Sequence, residues 1–170
     1  MSVSPRGGVR GVHVLALRWI LRTTPRDDGN AKEVFVRPYE ILESTSELKL
    51  RIFGNNLEEL FQNAVKAMFD SIAPIYAENA PLITHKIVVN SVDRELLLID
   101  FLAEALFLSD SNNEAYYDVQ FDKLTDTTVC ANVFGKQVTG FAIEIKAVTH
   151  HDMHIMKKGD TLYTDIVFDI

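Results

Sequence analysis

The sequence predicts an α+β domain, two helices packed on a mainly antiparallel sheet. Three observations carry that expectation: two stretches with helical apolar spacing, several short runs alternating at period two, and one alternating run that reaches the last residue. Tyr39 to Leu42 and Leu48 to Phe53 alternate as strands and are closed by Gly54-Asn55-Asn56. Asn56 followed by Glu59 opens the first helix as a capping box. Leu57, Leu60, Phe61, Ala64, Met68 and Ile72 recur at spacings of three and four, an apolar stripe that Pro74 ends. Lys86 to Asn90 reads as a short strand. Ser91 is placed to cap a second helix, with Asp93 and Glu95 in its first turn. Leu96 through Phe107 make that helix apolar nearly all round, with Asp93, Asp100 and Glu104 on one narrow face, so it should lie centrally. Ser109 to Asn113 reads as a loop. Strands follow at Ala115 to Phe121, Thr128 to Phe134, Ile143 to Thr149, His151 to Met156 and Leu162 to Ile170, the last two joined through Lys157-Lys158-Gly159-Asp160. Gly159 is free to take positive φ in that turn.

Residues 1–33 read as a flexible basic leader with Pro25 to Asn30 as its linker, and residues 34–170 as the folded domain. The net charge of −7 hides a split. Every Asp and Glu lies after Arg26, whereas Arg6, Arg10, Arg18, Arg22 and Arg26 lie in the leader; without those five, 12 basic residues face 24 acids. Such a surface repels phosphate backbones, so no direct nucleic-acid binding is expected, and cations or basic protein partners suit it better. No apolar run approaches the roughly 20 residues of a membrane span. A single cysteine, Cys130, excludes a disulfide framework and a thiolate metal site, which fits a reducing, cytoplasmic or nuclear, compartment. Cys130 itself should be a buried, inert thiol. The arginine-spaced, acid-free leader also matches a mitochondrial transit peptide in composition, a reading ranked below a plain extension.

Three constellations could carry chemistry. Asp169 and the α-carboxylate of Ile170 hang from one rigid strand end and offer hard oxygens to a cation, given a third ligand from elsewhere. Glu43-Ser44-Thr45-Ser46-Glu47 puts two carboxylates in a short polar loop, which could equally be a Ser/Thr turn satisfying its own backbone. In a strand, His150, Asp152 and His154 would share one face and His151 the other, as a zinc cluster, a general-base pair or hydrogen-bonded structural histidines. No phosphate-binding glycine loop and no nucleophile elbow is present.

Taken together, Tyr39-Glu40-Ile41-Leu42-Glu43-Ser44-Thr45-Ser46-Glu47, Leu57-Glu58-Glu59-Leu60-Phe61, Lys146-Ala147-Val148-Thr149-His150-His151 and the closing Asp169-Ile170 resemble the archease family. That pattern reads Tyr-Glu-x-Leu-Asp-His-Thr-Ala-Asp, Leu-Glu-Glu-Ala-Phe, Lys-Ala-Val-Thr-Tyr-His and a final Asp-Ile. The resemblance implies a non-enzymatic activator of an RtcB-type RNA ligase in tRNA splicing, promoting ligase guanylylation and multiple turnover. It also implies a divalent ion, calcium first, held by Glu47, Asp169 and Ile170. Here Ser44 stands where the family has His, and Glu47 where it has Asp. The longer glutamate keeps both oxygens, and calcium's loose coordination can absorb the extra methylene. Two other classes compete: a chaperone-like interaction module without a specific ligase partner, and a small hydrolase using His150 or His151 as base.

Overall fold

The computed structural model describes residues 20–25, 31–44, 46–150 and 153–170. Among them are two helices and eleven strands. They are β1 (Ile20–Pro25), β2 (Ala31–Val36), β3 (Tyr39–Leu42), β4 (Glu47–Gly54), α1 (Leu57–Ser71), β5 (Pro74–Tyr76), β6 (Leu82–Asn90), α2 (Arg94–Asn112), β7 (Glu114–Leu124), β8 (Thr128–Phe141), β9 (Ala147–Thr149), β10 (Met156–Lys158) and β11 (Thr161–Asp169). The expected α+β class holds, with one change: the domain's strands divide into two antiparallel sheets. One runs β10–β11–β4–β3, with β9 beside β10 on the same flank of β11; the other is built on β8, paired with β5, β6 and β7. β1 and β2 form a separate antiparallel ribbon that begins in the stretch read as leader and runs past its expected end at residue 33 to Val36, while residues 1–19 and the linker residues 26–30 lie outside those described.

Alternation sets the faces of the first sheet. Leu48, Leu50 and Ile52 of β4 are buried, as are Thr164, Ile166 and Phe168 of β11; the residues between them face outward. Both helices cover the inner side. α1 meets β4 of one sheet and β7 of the other, and α2 meets β6, β7 and β8 as well as β9. Phe61 of α1 stacks on Phe101 of α2 at 6.0 Å, and Phe101 reaches Phe121 of β7 at 6.2 Å. One continuous core results.

The α1 start follows its capping signal. Asn56 accepts a hydrogen bond from the Glu59 backbone N–H, while the Glu59 carboxylate accepts from the backbone N–H of Asn55, one residue earlier than a strict capping box. Gly54 is required there, because a Cβ at that position would collide with the backbone nitrogen of Leu60. Gly159 takes φ +61° in the β10–β11 turn, as expected.

Several boundaries differ from the sequence reading. Asp93, not Ser91, caps α2 by accepting from the Leu96 N–H; the Ser91 hydroxyl instead donates to Asp100. Ser109 to Asn112 is the last turn of α2, not a loop. Ser109 is buried and donates to the Glu114 carbonyl, and Asn113 closes the helix at φ 56°. β8 runs on through Gly135 to Phe141 because β5 and β6 on one flank and β7 on the other satisfy its backbone. Residues 143–146 and 153–155 are not strand, so β9 and β10 are three residues each. Cys130 is half-exposed on the outer face of β8, between buried Val129 and Ala131, with its sulfur 3.7 Å from Asp122.

Candidate functional site

The final strand is not loose. β11 lies between β4 and the pair β9 and β10, and its register on β4 sets Asp169 directly opposite Glu47. Both residues belong to the outward set, so the two side chains leave the same face of the sheet as cross-strand neighbours. Asp169 pairs with Ala147 on its other side, and its carbonyl accepts the Lys146 N–H at 2.8 Å. The tail residue is fixed as well: the Lys146 ammonium donates to the Ile170 carbonyl-end oxygen at 3.1 Å. Glu47, Asp169, Lys146 and Ile170 are all exposed at this edge.

Like charges directly opposite on neighbouring strands repel. The Glu47–Asp169 pair is therefore a position that a cation would relieve, and the donor set consists only of hard oxygens. Among the described residues no three His, Cys, Asp or Glu side chains converge on a point. The main-chain oxygen of Ile170, to which Lys146 already donates, lies at the same edge.

Glu43 and Ser44, in the loop leading to Glu47, are exposed; Thr45 lies outside the described residues. The histidine constellation does not assemble as expected. Residues 153–155 are irregular, so the alternation that would align His150 with His154 is absent; both are exposed, while His151 and Asp152 lie outside the described residues. Met153 is buried, and the Ile155 N–H donates to Glu95 of α2 at 3.3 Å, which pins this segment to the helix.

Two clusters carried no signal in the sequence. Buried Glu114 accepts from the Tyr116 hydroxyl at 2.8 Å and lies 2.7 Å from His85 Nε2. Burial, then the Glu114 contact, raises the Tyr116 phenol above its ordinary range. On the outer face of the first sheet, Arg51 grips Asp165 with two hydrogen bonds of 2.7 and 2.9 Å and lies 5.6 Å over the Tyr163 ring. Partners more than 100 residues apart leave no local pattern, although Arg51 and Asp165 do share the outward parity of their strands.

Residues 39–170 match the model of the Archease protein family (MTH1598/TM1083). The chain belongs to the archease family. The match begins at the first residue of β3 and takes in every element just described from there on. An archease of Methanosarcina barkeri is 30% identical over 142 residues, 79% of this chain and 97% of that protein. One from Thermococcus kodakarensis is 30% identical over 132 residues, 74% of this chain and 92% of its own length. The solution structure of the Methanobacterium thermoautotrophicum protein 1598 superposes with a TM-score of 0.59 at 27% identity, covering 78% of this chain and 99% of that one. A Thermotoga maritima structure, described as an archease and possible chaperone, shares the fold with a TM-score of 0.54 at 22% identity. The archease domain thus accounts for the fold, and no described helix is long and apolar enough to cross a membrane.

Proposed function

We propose that this archease-family chain is a metal-binding, non-catalytic activator of an RtcB-type RNA ligase in tRNA splicing. In this reading it promotes ligase guanylylation and so permits multiple turnover. The observation that carries the reading is the β4–β11 register, which sets Glu47 against Asp169 beside the chain's last residue. Glu47, Asp169 and the Ile170 carboxylate hold the ion, and calcium fits best. It accepts irregular oxygen sets, tolerates the longer Glu47 side chain, and needs no nitrogen or sulfur ligand, whereas magnesium demands a near-ideal octahedron. When bound, the ion supplies a fixed positive charge at an otherwise acidic edge. The chain's own residues orient it. β4 and β11 fix the spacing of the two side chains.

Activation works through protein contact. The excess of acid outside residues 1–26 favours docking to a basic ligase surface, by steering more than by affinity. Ligation by the cognate RtcB-type ligase with RNA in excess tests this. Adding the chain should convert a single round of ligation into many, and Asp169→Ala should leave only the single round. Equal turnover with and without the chain, or full stimulation by Asp169→Ala, would remove the proposal. Stimulation that any unrelated acidic protein reproduces would favour a chaperone-like role instead.

A further inference from the structure

Three rows along from the carboxylate edge, the same two strands build a different surface. Arg51 and Phe53 of β4, Tyr163 and Thr161 of β11 and Lys158 of β10 line an outward-facing groove of about 490 Å³. The two rings are directly paired in the register and sit 6.5 Å apart at a 36° tilt. Both are only partly covered. Arg51 is held over Tyr163 by its two hydrogen bonds to Asp165, which lies outside the lining; the lining itself carries two cations and no acid. With Arg51 paired to Asp165, Lys158 is the cation left to meet a ligand at this groove. The Lys158 side chain makes no hydrogen bond or ion pair with another described residue.

We infer that this groove binds one nucleotide unit, its base stacked on Phe53 and Tyr163 and its phosphate at Lys158. Aromatic side chains on the central strands of an open sheet face, rimmed by cations, form a stacking platform for unpaired bases, and any base offers a π-face. The volume falls within the range of small-ligand pockets, about 300–1,000 Å³. The acidic remainder of the surface argues against tracking a long phosphate backbone, not against one phosphate at one ammonium. Salt dependence should accordingly be shallow, near one charge's worth. The groove stands apart from the carboxylate edge: Tyr163 and Asp169 are six residues apart on β11, roughly 20 Å. The ion and the nucleotide can therefore be tested separately.

The intact chain is titrated with inorganic phosphate, with adenosine 5′-monophosphate and with single-stranded hexa-adenylate, while the ring resonances of Phe53 and Tyr163 are followed by NMR. Both adenine ligands should shift those resonances, and phosphate alone should not. Equal affinity for the two points to a free nucleotide, and tighter hexa-adenylate binding to an RNA strand. Phe53→Ala and Tyr163→Ala should each weaken binding at least fivefold. Lys158→Ala, at an exposed site with no fold to lose, should weaken it at least threefold. Rings that stay unshifted by both adenine ligands at millimolar concentration overturn the assignment. So does phosphate binding as tightly as the monophosphate, or binding that Lys158→Ala leaves intact.

Discussion

Glu47 and Asp169 bring two negative charges onto adjacent positions of one sheet face, and nothing but the sheet's pairing holds them there. Replacing either charge should therefore help the metal-free fold slightly while abolishing the benefit of an ion. Glu47→Gln should raise the melting temperature by roughly a degree without calcium, since exposed cross-strand charges are worth a few tenths of a kcal/mol. The calcium-induced rise that the proposed site predicts for the wild type should disappear, and calorimetric melting with and without calcium reads both effects. Lys146 acts in the opposite sense. Its ammonium donates to the Ile170 main-chain oxygen, a group assigned to the ion in the proposed site, so under that proposal it would compete with a bound cation. Lys146→Met should tighten calcium binding by roughly twofold to fivefold, the scale of one exposed ion pair. A calcium affinity that falls on this substitution would mean that Lys146 holds the carboxylate in place for the ion and does not compete with it.

At the scale of elements, the last strand does two jobs that can be separated. Phe168 and Ile166 are fully buried, whereas Ile170 is 39% exposed. Phe168→Ala should cost about 3–5 kcal/mol in denaturant unfolding, the range for truncating a buried aromatic. Deleting Ile170 alone should change stability by less than about 0.5 kcal/mol. Equal losses would mean that the tail is part of the core. This division was only partly readable beforehand: β4 alternates through most of its length, whereas in β11 burial alternates from Thr164 to Phe168 although Ile166-Val167-Phe168 is apolar throughout. The sequence puts Glu47 in the polar loop before the strand; the structure makes it the first residue of β4, which gives it the same outward parity as Asp169. The pairing of the two strands came only through the family pattern, since register between segments 120 residues apart has no local signature. Where local chemistry is ambiguous, the reading failed. Ser109-Asp110-Ser111-Asn112 looks like a loop, yet Ser109 and Asn112 bond to nearby carbonyls and so finish the helix. His151 to Met156 looks like a strand by composition, but residues 153–155 are irregular, and the Ile155 N–H donates to Glu95 of α2 instead.

Across the whole molecule, two sheets enclose a helical layer, and the ionisable groups that this traps report on folding. Burial first, and then the nearby Asp70 carboxylate, push the Tyr39 phenol up to about 12. Its folded value lies above its unfolded one, so its contribution is complete below about pH 10 and is lost as pH rises towards 12. Tyr116, raised further by burial and Glu114, adds to the same alkaline loss. Tyr39→Phe should flatten part of the fall in stability between pH 10 and 12, and a slope unchanged in that variant would assign the loss to other groups. At this scale the acidic balance and the single cysteine were plain from composition. The division into two sheets was not, because no short run states which neighbour it will choose.

The metal edge is the claim on which the proposed activity turns, and calcium titration by calorimetry tests it most directly. Wild type, Glu47→Ala and a chain ending at Asp169 are measured side by side. A loss of at least tenfold in affinity, about 1.4 kcal/mol, is predicted for both altered chains. Undiminished binding in either one would contradict the site.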